Sequence, residues 1–198
     1  MRTIKGRRAL ASLVASAVTL PMALALSVPA QATDTNTAEL LQAMVAEEKV
    51  AHDVYVTLGD MYGVSTFARI AASETRHQEA VRKLLATYGV ADPTVGDAVG
   101  EFDDPVFQKM YDEMVAQGST SLDAAANVGM TIEQIDIADL QQALDAGQPA
   151  DITRVFTNLL DESQRHLAAF TSLADGNVDG QRQGGYGRQN GVGKGRWN

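Results

Sequence analysis

Four long stretches of the chain repeat apolar residues every three or four positions, which is the spacing of an amphipathic helix. They cover, to within about two residues, 37–62, 66–88, 121–146 and 151–174. Thr37 stands where the first helix needs an N-cap, and Gly63 and Gly89 stand where the first two helices should end. The sequence shows no strand-like alternation of apolar and polar residues, so the pattern predicts an all-α fold.

The connections between these stretches predict how they pack. The first and second stretches are joined by a short turn, as are the third and fourth, so each pair should form an antiparallel hairpin. About 30 residues separate the second stretch from the third, and within them Asp104 and Pro105 open a short helix that Gly118 ends. Residues 33–177 are therefore predicted to form a four-helix bundle with one long crossover.

The two ends of the chain depart from this pattern. "MRTIKGRRAL" is basic, "ASLVASAVTLPMALALSV" is apolar, and "PAQA" has the small residues after which signal peptidases cut. Residues 1–32 are therefore predicted to be a signal peptide for export, cleaved after Ala32, with a retained membrane anchor as the alternative. The pair Arg7 and Arg8 leaves a twin-arginine route open. Residues 178–198 are rich in glycine and are predicted to be a disordered tail.

Composition narrows the classes of function. The chain has 16 Lys and Arg against 25 Asp and Glu. Removal of the four basic residues of the leader leaves 12 against 25, a net charge of −13, which argues against binding nucleic acid. The absence of cysteine excludes disulfides, thiolate metal sites and iron–sulfur clusters.

Acids and histidines interrupt the apolar stripe of every long helix. These residues are Glu48, Glu74, His77, Glu133, Asp136, Glu162 and His166. Counted from the two short turns, all lie ~12 to ~22 Å along their helices, so they can meet at one level. Unpaired ions in an apolar interior cost several kcal/mol each, so these groups must pair with one another or bind cations. Oxygen and imidazole donors without thiolate favour iron or manganese.

Some assignments stay open at this level. Glu74 and His77 can form an ordinary buried ion pair instead of a metal site. Glu47, on the neighbouring stripe, competes with Glu48 as the first acid. Tyr55, two turns beyond Glu48 on the same stripe, favours Glu48, although Tyr55 can also be a plain core residue.

The order of these residues resembles the ferritin-like superfamily of di-iron and di-manganese carboxylate proteins. The matching positions are Glu48, Glu74, His77, Glu133 and His166. Tyr55 follows Glu48 by seven residues, as in the first helix of rubrerythrins and ferritins. The segments "EEKVAHDVY", "IAASETRHQEAV", "IEQIDIADL" and "ESQRHLAAF" look most similar to a group of small prokaryotic ferritin-like proteins of uncharacterised function. The resemblance extends over about residues 37–173.

The resemblance implies a centre of two iron ions, with manganese as the alternative, and redox chemistry with dioxygen or peroxide. Glu74 would bridge the two ions, and Glu48 and Glu133 would each bind one of them. His77 and His166 would supply nitrogen ligands. Without a cysteine-ligated rubredoxin module, a complete rubrerythrin-type peroxidase is not expected. Metal binding is a firmer expectation than enzymatic activity, because fold and ligands do not fix a reaction.

The last helix departs from the superfamily, which repeats Glu-x-x-His there. Ser163, not a glutamate, stands three residues before His166. Glu162 stands four residues before His166 and is expected to supply the carboxylate from the same face; otherwise the second bridging carboxylate is missing. Asp136 can orient a histidine rather than bind metal, and His52 is expected at the rim.

Two other functions would use the same features. One is a non-catalytic binding or structural bundle in the cell envelope, and the other is metal sequestration without turnover. The tail has a net charge of +3 that could contact anionic polymers, from Arg182, Arg188, Lys194 and Arg196 against Asp179. The predicted partners are metal ions, with no nucleic acid and no stable membrane anchor after processing. The sequence does not indicate an oligomeric state.

Overall fold

The computed structural model describes residues 35–177, and all regular structure within that range is helical. It has five helices and no strands there: α1 Thr35–Tyr62, α2 Ser65–Tyr88, α3 Pro105–Gly118, α4 Leu122–Asp145 and α5 Ala150–Ala174. The prediction of an all-α fold is confirmed. The predicted signal peptide and the predicted tail lie outside the described residues. No helix in the described range has the length and apolar character needed to cross a membrane.

Local signals set four of the helix ends in the described range. Gly63 and Gly89 follow α1 and α2 with φ of 66°, the left-handed conformation that glycine adopts without strain. Asp104 and Ser121 cap α3 and α4 by accepting hydrogen bonds from backbone N–H groups of the first turn. The predicted N-cap Thr37 is wrong, because Thr37 lies inside α1.

Each short turn folds two helices back on each other. Gly63 and Val64 join α1 to α2, and residues 146–149 join α4 to α5. The register is antiparallel, because the second half of α1 packs with the start of α2, and the start of α4 packs with the end of α5. α1 also contacts α4, and α2 contacts α5, so the four long helices pack in a closed ring.

Two apolar clusters fill the space between the helices, one toward each end. The first includes Leu58, Phe67, Ile70, Val128 and Phe170, and the second includes Leu41, Val81, Leu85, Leu140 and Phe156. Each of the four long helices has buried polar residues between these two clusters. The candidate site therefore lies in a polar layer between two apolar layers.

The connection between α2 and α3 is tied to α1 next to this polar layer. Lys49 Nζ donates to the carbonyl oxygens of Ala98 and Glu101, at 2.9 and 3.1 Å, and to Asp53 Oδ2 at 2.5 Å. Asp53 in turn accepts from the backbone N–H of Gly100 at 2.9 Å. α3 then packs against α1 and α4, so it covers one side of the ring of helices.

Candidate metal centre

The polar layer receives side chains from all four long helices. α1 contributes Glu48, α2 contributes Glu74 and His77, α4 contributes Glu133 and α5 contributes His166. The glutamates are at most 2% exposed, and the histidines are 4% and 8% exposed. The structure thus brings together, in its interior, five of the seven residues predicted to bind metal.

These five residues form two groups that share Glu74. The His77 group consists of Glu48, Glu74 and His77, and the His166 group consists of Glu74, Glu133 and His166. Within each group, one potential ligand atom from every residue lies within 4.8 Å of the others. Glu74 is therefore the residue through which the two groups are connected.

Glu74 lies between the two imidazoles. His77 Nδ1 lies 2.7 Å from Glu74 Oε2, and His166 Nδ1 lies 2.9 Å from Glu74 Oε1. The outer acids are farther away, with His77 Nδ1 at 3.2 Å from Glu48 Oε2 and His166 Nδ1 at 3.6 Å from Glu133 Oε2. The two rings stack with their centroids 5.5 Å apart.

Several oxygen and nitrogen atoms at the centre that could bind a metal are buried, and they have no hydrogen bond within the part of the chain that the structure describes. They are Glu48 Oε1, Glu74 Oε1, Asp136 Oδ1, His77 Nε2 and His166 Nδ1. His166 Nδ1 and Glu74 Oε1 are close enough for a hydrogen bond, yet they are not aligned for one. Buried polar atoms are nearly always hydrogen-bonded, so oxygen and nitrogen atoms that converge without hydrogen bonds fit a bound cation. Carboxylate oxygen and imidazole nitrogen are ligands that suit iron or manganese.

Burial and mutual repulsion raise the pKa values of three acids. Burial and the charge of Asp136 raise the pKa of Glu48 well above its usual range. Burial raises the pKa of Glu133 to about 7 and that of Asp136 to about 6. Carboxylates in this layer therefore need a compensating positive charge to remain ionised.

The histidines supply that charge in the metal-free protein. Burial alone would lower their pKa values, but the neighbouring carboxylates outweigh it, raising the pKa of His77 to about 11 and that of His166 to about 9. Burial likewise would raise the pKa of Glu74, but the two histidines lower it to about 2. A bound cation would replace the protons on the two imidazoles.

Glu48 and its neighbour Glu47 have different surroundings. Glu48 is 1% exposed and belongs to the His77 group. Glu47 is half-buried outside both groups, and burial together with the charges of Asp139 and Asp136 raises its pKa to about 8. Of the two alternatives that the sequence left open, the structure thus brings Glu48 to the centre.

Glu162 lies at the rim rather than in the buried layer. Its side chain is 41% exposed, accepts a hydrogen bond from Ser73 Oγ at 2.9 Å, and lies 3.4 Å from His77 Nε2. Its predicted place on the buried stripe of α5 is wrong, because Ser163 occupies that place at 1% exposure. Ser163 Oγ donates to Asp136 Oδ2 at 2.5 Å.

A cavity of about 20 Å³ adjoins the centre. Its lining includes Glu47, Glu48, Glu74, Glu133 and Asp136, together with Ala51, Met110, Ile132 and Ile135. That volume suits one molecule about the size of water.

The predicted rim residue His52 does not line this cavity. Its side chain is 24% exposed, and its Nδ1 lies 2.8 Å from Asp53 Oδ1.

The sequence from residue 37 to residue 184 matches the family described as an uncharacterised protein domain, DUF2202. The chain belongs to this family. The uncharacterised protein MJ0754 of Methanocaldococcus jannaschii is 39% identical over 147 residues, which are 74% of this chain and 80% of that protein. This structure is also similar to the crystal structure of the hypothetical protein MJ0754 from Methanococcus jannaschii, with a TM-score of 0.71 and 38% sequence identity. The match covers 76% of this chain and 86% of that chain.

Two serines of this DUF2202 domain were not among the predicted site residues. Ser163 contacts Asp136, and Ser73 contacts Glu162. The signal available for Ser163 was its position three residues before His166, where the superfamily pattern has a glutamate. Ser73 carried no comparable signal, because a serine on a helix is ordinary and its contact depends on how α2 and α5 pack.

Proposed function

We propose that this protein is an exported, ferritin-like four-helix bundle that binds two metal ions, iron or manganese, between its four long helices. The observation that carries the proposal is the pair of three-residue groups sharing Glu74, with buried ligand atoms that have no hydrogen-bond partner among residues 35–177. The closed ring of α1, α2, α5 and α4 supports the bundle, since each helix turns one acid or histidine toward the others.

Charge favours two ions over one. Three glutamates are almost fully buried at the centre, and like carboxylates this close cannot all stay ionised without cations. One ion in the His77 group would leave Glu133 with only the protonated His166 as its positive partner, and one ion in the His166 group would leave Glu48 with only the protonated His77. An ion in each group, with Glu74 between them, satisfies all three acids.

The residues have distinct tasks in this proposal. Glu74 would bind both ions, and Glu48 and Glu133 would each bind one. His77 and His166 would supply nitrogen ligands. When bound, a pair of iron or manganese ions supplies one-electron redox chemistry toward dioxygen or peroxide. A cavity large enough for one water-sized molecule lies beside the carboxylates.

A second candidate is a buried ion-pair network that stabilises the fold without metal. The short distances from His77 and His166 to Glu74 favour it, because oppositely charged groups 2.7 and 2.9 Å apart can satisfy much of one another's charge. In this alternative the domain is a structural or binding module. The unpaired atoms count against it, since a network selected for stability alone should leave few donors and acceptors unsatisfied.

Anaerobic titration with Fe²⁺ or Mn²⁺ distinguishes the two candidates. We expect two ions per chain and a higher melting temperature, since each site adds about 2.7 kcal/mol when free metal is 100-fold above its Kd. Glu74→Gln should abolish or strongly weaken binding of both ions. Glu79→Gln, on the exposed face of the same helix, is the matched control and should bind as the unchanged protein does.

The contrary result is equally clear. An unchanged protein that binds neither Fe²⁺ nor Mn²⁺, and melts at the same temperature with and without them, removes the metal proposal. A loss of folding stability in metal-free Glu74→Gln would then identify the cluster as a structural ion-pair network. If metal binds but dioxygen and peroxide leave the absorption spectrum unchanged, sequestration without turnover becomes the function.

Export is a separate part of the proposal and has its own test. The basic, apolar and small-residue segments before Thr33 support a signal peptide. We expect protein recovered outside the cytoplasm to begin at Thr33, as measured by N-terminal sequencing or intact mass. Intact protein beginning at Met1 and retained with the cytoplasm would contradict export without affecting the metal proposal.

A further inference from the structure

On α2 a glutamate, Glu74, stands three residues before His77, whereas on α5 the residue three positions before His166 is Ser163. Ser163 lies one turn before His166 on α5, is 1% exposed and faces the polar layer. Its side chain is too short and too weak a ligand to replace a glutamate there. The nearest acid on α5, Glu162, lies at the rim with its side chain 41% exposed.

An acid from the facing helix occupies the space next to Ser163. Asp136, one turn after Glu133 on α4, accepts a hydrogen bond of 2.5 Å from Ser163 Oγ. The carbonyl oxygen of Leu159 is also near that hydroxyl, at 3.0 Å. A hydroxyl has one proton, and the shorter contact to a charged acceptor is the stronger one. Ser163 therefore fixes the position of the Asp136 carboxylate.

The other oxygen of that carboxylate is free to bind an ion. Asp136 Oδ1 is buried and has no hydrogen-bond partner among the described residues. Asp136 lines the same small cavity as Glu48, Glu74 and Glu133. Asp136 belongs to neither three-residue group, but a buried oxygen without a hydrogen bond, in the cavity lining that it shares with three proposed ligands, is one that a cation would satisfy.

The position of Asp136 along α4 associates it with the His77 group. Three residues of helix rise about 4.5 Å, so Asp136 lies one turn beyond Glu133, on the side away from His166. His77 likewise lies one turn after Glu74 on α2, and α2 and α4 run in the same direction, since both begin at the first apolar cluster and end at the second. The His77 group is therefore the one that Asp136 can complete.

We propose that Asp136 supplies from α4 the carboxylate that position 163 lacks on α5, and that the Ser163 hydroxyl holds it beside the His77 group. The inference rests on the proposed function, because it concerns how one of the two ions is bound. It assigns Asp136 as a ligand and Ser163 as a positioning residue. It also explains why a serine, rather than an apolar residue, is buried at this place.

Mn²⁺ titration followed by electron paramagnetic resonance tests this arrangement, because the signal of free Mn²⁺ gives both the number of bound ions and their affinities. Asp136→Asn keeps the size of the side chain and removes the charge, so we expect one of the two ions to be lost or bound at least 100-fold more weakly. Ser163→Ala should keep both ions and weaken one of them about tenfold, the size of effect that outer-shell partners of metal ligands have.

Asp161→Asn is the matched control, since it removes an exposed carboxylate from the same helix, and it should bind two ions with unchanged affinities. Glu162→Gln tests the rival ligand, and it should also keep two ions, because Glu162 lies at the rim. Circular dichroism and melting of the metal-free variants confirm that each is folded. A merely structural bond between Ser163 and Asp136 would change the metal-free melting temperature and leave Mn²⁺ binding as it was.

The possible outcomes distinguish a failure of the Asp136 assignment from a failure of the proposed two-metal site. If the unchanged protein binds two ions and Asp136→Asn binds two with the same affinities, the assignment of Asp136 is overturned and the dimetal proposal stands. If Glu162→Gln instead loses an ion, Glu162 is the missing ligand and the assignment is again overturned. If the unchanged protein binds no Mn²⁺ or Fe²⁺, both proposals fall together.

Discussion

Tyr55 Oη on α1 donates a hydrogen bond of 2.7 Å to Glu133 Oε1 on α4. Tyr55 is fully buried, and its ring packs against those of Phe67 and Phe170, with centroids 6.3 and 4.9 Å away. The ring of Tyr55 therefore belongs to an apolar cluster, and its hydroxyl group contacts the candidate metal centre. It fixes Glu133 relative to α1 before any ion is bound.

Tyr55→Phe should separate these two contributions, since it keeps the ring and removes the hydroxyl. Glu133 would lose a donor in a buried place, which costs about 1–3 kcal/mol of unfolding free energy in the metal-free protein. Urea unfolding measures the change. Tyr88→Phe is the control, because the bond from Tyr88 to Asp151 is only partly buried, and we expect a smaller loss there. Equal losses in the two variants would show that burial of Glu133 does not matter.

Glu48→Gln and Glu47→Gln form a matched pair of adjacent substitutions on α1. Glu48 is 1% exposed beside His77, whereas Glu47 is half-buried outside both groups. We therefore expect Glu48→Gln to lose an ion or bind it far more weakly, and Glu47→Gln to keep two. Metal content after dialysis, measured by elemental analysis, gives the answer. Loss of an ion in Glu47→Gln alone would reverse the assignment.

Helical periodicity was enough to predict most of the buried layer. Glu48, Glu74, His77 and Glu133 interrupt strongly apolar stripes, so their inward direction follows from the residues three and four positions away. The helix bounds also followed from local chemistry, since a glycine after a helix and an acid before a proline act within one turn. These features depend on neighbours in the sequence, which is why the sequence revealed them.

The rotation of α5 about its own axis could not be predicted in the same way. Glu162 and Ser163 differ by about 100° around a helix, and each lies at a spacing from Leu159 and His166 that suits one face. Packing of α5 against α2 and α4 decides between them, and it buries Ser163. Such a choice depends on contacts between helices, as does the contact between Ser163 and Asp136 across two of them.

Gly129 on α4 is required by the ring of Phe170 on α5. A Cβ atom at position 129 would lie 2.6 Å from that ring, closer than non-bonded atoms can approach. Overpacking of this kind costs about 1–3 kcal/mol, which should outweigh the gain of about 1 kcal/mol from replacing a helical glycine by alanine. We expect Gly129→Ala to unfold at lower urea concentration.

Phe170→Leu tests whether a clash with the Phe170 ring destabilises Gly129→Ala. It replaces the ring by a smaller side chain, so the new methyl group has more space. The double variant should be less destabilised than the sum of the two single variants, since the clash is present only when that methyl group meets the full phenylalanine ring. Additive losses would mean that glycine is needed at position 129 for another reason. The hydrogen bond of 3.5 Å from Tyr55 Oη to the Gly129 carbonyl would then be the next feature to test.

The ion pair of Lys49 and Asp53 should make the protein sensitive to acid. Burial alone would raise the pKa of Asp53, but hydrogen bonds from His52, Lys49 and the Gly100 N–H outweigh it and lower it. A lowered pKa stabilises the folded state above the unfolded value of about 3.9, and this contribution is lost as pH falls through the folded value. Unfolding free energy should therefore fall as the pH drops below about 4.

Lys49→Met tests whether the ion pair with Asp53 causes the sensitivity to acid. It keeps an unbranched side chain but removes three hydrogen bonds, to Asp53, Ala98 and Glu101. We expect a loss of about 3–5 kcal/mol at pH 7, as for one partner of a buried pair. The difference from the unchanged protein should shrink toward pH 3, because protonation of Asp53 removes the buried charge that Lys49→Met leaves unpaired. Urea unfolding at pH 7, 5, 4 and 3 measures it.

Lys109→Met is the matched control for that variant. Lys109 and Glu113 form a pair with the same four-residue spacing, but their side chains are 74% and 66% exposed and their nitrogen and oxygen lie 3.6 Å apart. Exposed pairs of this kind contribute less than about 0.5 kcal/mol, so Lys109→Met should unfold almost as the unchanged protein does at every pH. A loss in Lys49→Met that does not vary between pH 7 and pH 3 would place the cost in the two carbonyl bonds and in the contact of Lys49 Nζ with the Phe102 ring, because these do not depend on the ionisation of Asp53.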